Sequence, residues 1–159
     1  MGPPTFIADR MLGRLATWLR LVGIDTLYRP EWRGPALLRA ARSEGRVLLT
    51  RDRRVCRFIE KPPLLFIESD HFRKQLRQVL EAYAIDPHAG LLTRCARCNE
   101  RLHDVAIERL RARVPEYVQA TQARFVQCPR CRRVYWAATH ADRIREELER
   151  LGYSPPTPS

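Results

Sequence analysis

The chain has 159 residues, of which 45% are hydrophobic and 30% charged, a balance typical of a folded globular protein and not of a disordered one. This length suits one main domain with a small accessory module and excludes two full-sized domains. The net charge is +11, which favours a polyanionic partner such as nucleic acid over most other partners, with an anionic membrane surface as the alternative. Nearly all basic residues are arginine, which indicates either phosphate binding or a GC-rich genome.

Targeting signals are not apparent in the sequence. No apolar segment approaches the roughly 20 residues that cross a bilayer. The first residues lack the basic region and long apolar stretch of a secretory signal. We therefore expect a cytoplasmic protein that does not associate with a membrane, and in a reducing compartment paired cysteines favour metal ligation over disulfides. The sequence does not specify an oligomeric state.

Strands and helices alternate through the first half of the chain. Apolar runs predict strands, and apolar residues at helical spacing predict helices between them. In chain order the predicted elements are a strand at 6–8, a helix at 12–22, a strand at 24–28, a helix at 35–45, a strand at 46–52, a helix at 53–60, a strand at 64–67 and a helix at 71–83. On the first helix, Arg10, Arg14 and Arg20 interrupt the apolar stripe and are expected to face solvent or a partner.

This alternation predicts an α/β domain with a parallel sheet covered by helices on both sides. We place that domain at residues 1–88, with a linker at 86–90. A smaller unit follows at 89–152, where Thr139 is expected to cap a last helix that Gly152 ends. The proline-rich tail at 153–159 is predicted to be disordered.

Three aspartates follow predicted strands. They are Asp9, Asp52 and Asp70, and ligands of such sheets lie beyond the carboxyl ends of the strands. Each aspartate could simply cap the helix that it precedes. Together, however, three carboxylates would repel one another unless a hard cation such as magnesium or manganese bound them. Such an ion can orient a phosphodiester and stabilise charge on its oxygens, with Arg51, Arg53 and nearby arginines holding the flanking phosphates.

Four of the five cysteines form two Cys-x-x-Cys pairs, Cys95 with Cys98 and Cys128 with Cys131. Two such pairs predict a closed four-sulfur structural zinc site, with an iron–sulfur site or redox pairs as alternatives. Cys56 stands apart and is interpreted as a small buried apolar residue. The sequence contains no glycine-rich phosphate loop and no nucleophile elbow, so we expect no organic cofactor.

Arginines and aromatic residues surround the cysteine pairs, a mixture that suits phosphate binding and stacking on unpaired bases. Phe125 and Tyr135 could equally fill the core of the small unit. The residues that we predict to contact RNA, here and in the first domain, are Arg14, Arg51, Arg53, Arg54, Arg97, Arg130, Arg132, Trp136 and His140.

The ordered motifs resemble one family. FIADRMLGRLATWLR at 6–20, GRVLLTRD at 45–52, the paired cysteines, VYW at 134–136 and Thr139-His140 are similar to the Mut-seven C-terminal RNase domain family. The resemblance implies a PIN-like nuclease fold followed by a zinc ribbon and a C-terminal helix. It also implies a metal-dependent ribonuclease in which Asp9, Asp52 and Asp70 match the acidic positions. His140 matches a family histidine that either contacts RNA or assists proton transfer, or merely packs.

One position departs from the family, which usually carries another acidic residue before the second helix. This chain has Arg33-Gly34-Pro35 there, and Glu31 is the nearest substitute. We therefore hypothesise a metal-dependent ribonuclease of weak activity, acting on single-stranded or tRNA-like RNA and carrying structural zinc and catalytic magnesium or manganese. The alternative is an RNA-binding or ribosome-associated module that retains the fold without catalysis.

Overall fold

The structure is a computed structural model that describes residues 2–155 and 157 of the chain. It divides into two units, one formed by Met1–Arg20 with Ile24–Asp86 and the other by Leu21–Gly23 with Pro87–Ser159. Across the described part of the chain, no helix has the length and apolar composition needed to span a membrane.

The first unit is built on a four-stranded parallel sheet in the order β2-β1-β3-β4. The strands are β1 (Phe6–Ala8), β2 (Thr26–Tyr28), β3 (Val47–Thr50) and β4 (Leu64–Phe66), and the helices are α1 (Gly13–Leu21), α2 (Gly34–Ser43) and α3 (Phe72–Ala82). A 3-10 turn, Arg10–Leu12, leads into α1. This arrangement confirms the predicted α/β fold with a parallel sheet and flanking helices.

The central strands are buried because helices cover both faces of the sheet. On one face, Ile7 of β1 and Leu48 of β3 form a core with Leu37 and Leu38 of α2. On the other face, the Phe6 ring packs edge-on against Tyr83, with ring centroids 5.0 Å apart. The alternation of side chains along each strand therefore assigns odd residues of β1 and even residues of β3 to the α2 face.

Two predictions for this unit are wrong. Arg20 does not face solvent: it is 6% exposed and its Nε donates to the Thr26 carbonyl at 2.8 Å, so a polar contact offsets its burial. The predicted helix at 53–60 is only a 3-10 turn, Val55–Arg57. Within that segment Val55 alone is buried, and one apolar anchor does not stabilise a short helix.

The second unit contains a three-stranded antiparallel sheet, β5-β6-β7. Its elements are β5 (His103–Val105), a 3-10 turn at Ile107–Arg109, α4 (Glu116–Thr121), β6 (Phe125–Gln127), β7 (Val134–Trp136) and α5 (Asp142–Arg150). Phe125 packs in one small core with Leu110 and Val114, while Tyr135 packs in another with Val126 and the cysteines. The core-filling interpretation of Phe125 and Tyr135 thus fits their surroundings.

The start of α5 differs from the prediction that Thr139 caps it. A π-helical turn, Ala137–Ala141, precedes α5, and the Thr139 hydroxyl accepts a hydrogen bond from Trp136 Nε1 at 3.0 Å. The hydroxyl therefore holds an indole instead of a helix end. Of the predicted disordered tail, residues 156, 158 and 159 lie outside the described residues, and the Tyr153 N–H donates to the Leu148 carbonyl.

Candidate active-site cleft and cysteine cluster

Asp9 and Thr50 meet at the carboxyl ends of neighbouring strands. The β1–β3 register continues past the strand, because the Asp9 N–H donates to the Leu49 carbonyl at 3.0 Å. Asp9 follows Ile7 by two residues and Thr50 follows Leu48 by two, so both side chains extend on the α2 face. The strand order changes direction between β1 and β3, the place where open α/β sheets form ligand crevices.

The carboxylate of Asp9 is buried and fully oriented. Asp9 is only 4% exposed. One oxygen, Oδ1, accepts the Met11 N–H at 2.9 Å and so also caps the following turn. The other, Oδ2, accepts the Thr50 hydroxyl at 2.7 Å and the Arg51 N–H at 2.8 Å. Capping and ligand binding are therefore compatible roles for this aspartate, since a carboxylate offers about four acceptor sites.

Asp52 is linked to Asp9 through Thr50, whose hydroxyl accepts the Asp52 N–H at 2.9 Å while donating to Asp9. The Asp52 carboxylate is held by Arg54, with Nε 3.0 Å from Oδ1 and Nη2 3.0 Å from Oδ2. The side-chain hydrogen bond from Arg54 lowers the pKa of Asp52, and a weaker effect of burial opposes it. Asp52 is thus ionised throughout the neutral range.

A cleft of about 350 Å³ opens over these two aspartates. Its charged lining combines two carboxylates with three guanidinium groups, so the lining carries a net positive charge. Its apolar lining includes an indole, a phenyl ring and a thioether. The residues concerned are Asp9, Arg10, Met11, Trp32, Arg33, Gly34, Leu37, Thr50, Asp52, Arg54, Val55 and Phe58.

Asp70 does not line this cleft. Strand β4 ends at Phe66, and the loop that follows carries Asp70 beyond the sheet edge, where its side chain is 80% exposed and 3.6 Å from His71 Nε2. Among the described residues, the cysteines alone form a group of three or more potential ligands within 4.8 Å of one another. Glu31 is exposed and is not among the lining residues either.

The two cleft carboxylates nonetheless suit magnesium or manganese. Mg²⁺ is commonly bound through one or two carboxylates, with waters and substrate phosphates completing the octahedron. Asp9 Oδ1 and Asp52 Oδ2 each accept one hydrogen bond, which leaves each oxygen a further lone pair. The donor set is oxygen only, as these hard cations prefer.

The predicted RNA-contacting arginines of the first unit differ in availability. Arg14 and Arg53 are exposed, with guanidinium carbons 3.7 Å from the Phe72 ring centroid and 4.7 Å from the Phe66 ring centroid. Arg54 is exposed but paired with Asp52. Arg51 is half-buried, and its Nη1 donates to the Ile67 carbonyl at 2.9 Å, so its side chain supports the sheet edge.

In the second unit, the two Cys-x-x-Cys pairs adopt the same conformation. In each, the N–H three residues on approaches the first sulfur at 3.4 Å, as for Cys98 on Cys95 and Cys131 on Cys128. In each, the residue after the second cysteine has a positive φ, 67° at Asn99 and 61° at Arg132. Two matching loops thus present four thiols as one group that could hold a metal such as zinc.

The four thiols differ in how readily they ionise. Burial opposes ionisation of Cys131, but the Arg133 N–H and the neighbouring cysteines outweigh it and lower its pKa to about 7. Burial and the Cys131 thiol raise the pKa of Cys98 to about 12, because adjacent thiolates repel one another. The Tyr135 hydroxyl accepts the Ala96 N–H at 3.2 Å and lies 3.4 Å from Cys95 Sγ, so it forms hydrogen bonds to both cysteine-loop groups.

The remaining predicted RNA-contacting residues of this unit fall into two groups. Arg97, Arg130 and Arg132 are exposed beside the cysteines. Trp136 and His140 are half-buried, with ring centroids 4.8 Å apart, and His140 Nδ1 accepts the Trp136 N–H at 3.4 Å. Burial lowers the pKa of His140, so at neutral pH it is uncharged and packs instead of attracting phosphate by charge.

Several cleft residues were not among the sites that the sequence predicted. Thr50 could have been found from its spacing, because it lies two residues before Asp52 on the same face of the strand. Arg10 was expected only to face solvent or a partner, and Arg33 lies where the family usually carries an acidic residue. Met11, Trp32 and Phe58 carry no local signal, since only the tertiary fold brings them to one cleft.

The fold and these two sites define a class: an α/β protein with a cleft that holds two carboxylates at the ends of its parallel strands, joined to a unit built on four cysteines. The family model of the Mut7-C RNAse domain matches residues 4–148, and the chain belongs to that family, as its motifs predicted. Membership indicates a nuclease or RNA-related role. No curated protein and no solved structure matches the chain significantly.

Proposed function

We propose that this protein is a metal-dependent ribonuclease whose catalytic centre is the cleft over Asp9 and Asp52. The observation that carries this proposal is the bridge through Thr50, which links the Asp9 carboxylate to the Asp52 backbone and so brings two aspartates of adjacent strands to one cleft rimmed by arginines. Preorganised oxygen ligands beside cationic groups are what phosphodiester hydrolysis requires. Family membership supports the same chemistry.

In this proposal Asp9 and Asp52 hold the magnesium or manganese ion, and Asp70 serves from its exposed loop as a further acidic group. A divalent ion bound there supplies electrophilic stabilisation of the charge that develops on phosphate oxygens. Thr50 and the Arg51 N–H keep Asp9 fixed, so no reorganisation is needed when RNA arrives. An incoming phosphate competes with Asp52 for Arg54, which holds the phosphate and frees an Asp52 oxygen for ligation.

We further propose that the four cysteines bind one structural zinc ion, and that the unit at 89–152 adds RNA-binding surface to the α/β unit at 1–88. The exposed Arg97, Arg130 and Arg132 are the phosphate contacts in that unit. Trp136, together with His140, forms a half-buried aromatic pair at its edge. We also propose that this RNA-directed enzyme acts in the cytoplasm.

A cleavage assay tests the ribonuclease proposal. Labelled single-stranded RNA and tRNA are incubated with wild type, Asp9→Asn and Asp52→Asn in Mn²⁺, in Mg²⁺ and without added divalent ion. We expect cleavage by wild type with a divalent ion only, and a fall of about 100-fold or more in each variant. Glu60→Gln is the matched control, because the Glu60 side chain is 86% exposed and lies outside the cleft.

Asp70→Asn tests whether Asp70 takes part in catalysis or whether Asp9 and Asp52 act without it. A loss as large as that of Asp52→Asn would mean that the loop carries Asp70 into the cleft when RNA binds. If Asp9→Asn and Asp52→Asn cleave as well as wild type, the ribonuclease proposal fails.

The second candidate function is RNA binding without cleavage, and Arg33 favours it. This arginine lines the cleft near the position where the family usually has another acid, so the cleft lining holds more guanidinium groups than carboxylates. A phosphate-binding groove needs that balance, whereas metal binding is weakened by it. Tight RNA binding by wild type with no cleavage in either metal would establish this alternative.

A further inference from the structure

From the lining of the cleft, we infer that it takes up one unpaired nucleotide of RNA, with the base against Phe58 and the phosphate on the arginine rim. This inference rests on the proposed function and specifies its substrate as single-stranded at the site of cleavage. It also assigns a base-binding role to residues outside the carboxylate site.

The apolar wall of the cleft is exposed to an unusual degree. Four large hydrophobic residues in the described part of the chain are conspicuously exposed, and two of them, Phe58 at 44% and Met11 at 53%, line this cleft. Trp32 lies beside them, but Arg29 is stacked 5.6 Å from its ring centroid and the ring also packs on the α2 core. Of the two aromatic rings that line the cleft, Phe58 is therefore the one whose surface is more available to a base.

The charges of the cleft complement a nucleotide and not an apolar ligand. Arg10, Arg33 and Arg54 lie on the same lining as the aromatic wall, and each can hold a phosphate oxygen. An apolar peptide would cover the Arg10 and Arg33 guanidinium groups without offering them an acceptor, which is costly on burial. A base with its phosphate satisfies the apolar wall and the cationic rim together.

The volume of the cleft indicates that it accepts single-stranded RNA and not a duplex. About 350 Å³ lies at the lower end of the 300–1,000 Å³ typical of small-molecule sites. Paired bases within a duplex are stacked on one another and cannot enter such a space. Single-stranded bases can be splayed out and stacked on aromatic side chains, which is how most sequence-tolerant RNA binding works.

Fluorescence anisotropy without added Mg²⁺ or Mn²⁺ tests the inference without interference from cleavage and without removing zinc from the cysteines. A short labelled single-stranded RNA, the same strand annealed to its complement, and a strand in which one nucleotide in two lacks its base are titrated with each variant. We expect Phe58→Ala to weaken single-strand binding by about 5- to 150-fold, the range for loss of one base–aromatic stack. Phe58→Trp should bind as wild type does, and Phe58→Leu, which keeps the volume but not the ring, should bind like Phe58→Ala.

Ile59→Ala is the matched control, because Ile59 is adjacent in sequence, 99% exposed and outside the cleft lining. It should bind single-stranded RNA as wild type does. The Phe58→Ala effect should shrink on the strand that lacks bases, and the duplex should bind more weakly than the single strand.

Three results would overturn the inference: unchanged single-strand affinity of Phe58→Ala, equal affinity of wild type for single strand and duplex, or no measurable RNA binding at all. These outcomes are distinguishable from failure of the ribonuclease proposal. Unimpaired cleavage by Asp52→Asn would overturn the proposed catalysis and leave Phe58-dependent binding standing, whereas Phe58-independent binding with Asp52-dependent cleavage would do the reverse.

Discussion

A single hydroxyl group links two aspartates at the carboxyl end of the sheet. Thr50 donates to the Asp9 carboxylate and accepts from the Asp52 N–H, so one side chain orients the carboxylate of Asp9 and holds the backbone of Asp52 beside it. Its burial makes both hydrogen bonds costly to lose, because the groups left behind would find no water.

Replacing Thr50 by valine tests this role. Thr50→Val should lower the free energy of unfolding by about 2 kcal/mol, since it removes a donor from a buried carboxylate. Thr26→Val is the matched control: Thr26 is equally buried in the same sheet, but its hydroxyl donates to the neutral Ile24 carbonyl at 3.2 Å, so about 1 kcal/mol is expected. Urea denaturation measures both, and equal losses would contradict the special role of Thr50. Cleavage should fall in the Thr50 variant only.

The ion pair between Asp52 and Arg54 predicts a pH effect. The Arg54 guanidinium lowers the pKa of Asp52 below its ordinary value of 3.8. The ion pair therefore stabilises the folded protein above pH 3.8, and this contribution is lost as the pH falls through the lowered pKa. In Arg54→Ala, the pKa of Asp52 should rise and the acid limb of cleavage should move to higher pH. Carboxyl-carbon NMR titration measures the pKa directly. Arg53→Ala is the control, since Arg53 stacks on Phe66 instead, and an equal shift in both variants would contradict the pairing.

At this scale the sequence predicted the two aspartates because each follows an apolar strand, a pattern visible in local sequence. It did not predict that Asp70 lies outside the cleft. That outcome depends on β4 ending at Phe66 and on the path of the loop beyond, which no local pattern specifies. Phe58 was missed for a similar reason, since its neighbours in the cleft are distant in sequence.

Two helices end in the same hydrogen-bonding motif with different residues at the critical position. After α3, Ala84 has a φ of 50° and the Ile85 N–H donates to the Leu80 carbonyl. After α5, Gly152 has a φ of 90° and the Tyr153 N–H donates to the Leu148 carbonyl. Left-handed backbone favours glycine, so the first end carries strain that the second avoids.

Exchanging these residues gives a paired prediction. Ala84→Gly should stabilise the protein by about 1 kcal/mol, and Gly152→Ala should destabilise it by about the same amount. A Cβ at Gly152 meets no atom within 4 Å, so the effect of the second change is conformational and not steric. Thermal or urea unfolding of both variants measures the two effects. Changes of the same sign would contradict the explanation.

Secondary-structure prediction succeeded where the apolar pattern repeated several times along the chain and failed where it rested on few residues. The helices α1 to α3 were found because each buries several apolar residues at the expected period. The predicted helix at 53–60 was wrong because its spacing rested on too few buried positions. The π-helical turn before α5 depends on the indole of Trp136 reaching Thr139, a contact between side chains that periodicity does not encode.

The two units owe their stability to different interactions. The first buries large aliphatic residues on both faces of a sheet, whereas the cysteines are themselves part of a core of the second. Four adjacent thiols cannot all ionise without a cation, so a metal bound there would couple its binding to the folding of that unit.

Removing zinc should therefore unfold one unit selectively. A chelator should abolish the dispersed NMR signals of 89–152 while those of the parallel-sheet unit persist, and Cys128→Ser should reproduce the loss. Cys56→Ser is the matched control, because Cys56 is only half-buried and lies outside the metal group. Zinc content near zero in protein purified without chelators would contradict the prediction.

The hydrogen bond between Thr50 and Asp9 also determines when, during synthesis, this end of the sheet can become ordered. It joins residues 41 positions apart, and β1 lies between β2 and β3 in the sheet. While the ribosome is still making the segment before β3, Asp9 has neither the hydroxyl nor the Arg51 N–H that orients it. At about 5–20 residues per second, seconds pass before β3 emerges and pairs. A nascent chain therefore gains the oriented Asp9 carboxylate only after β3 has been made, and no product truncated before Thr50 would carry the linked pair of aspartates.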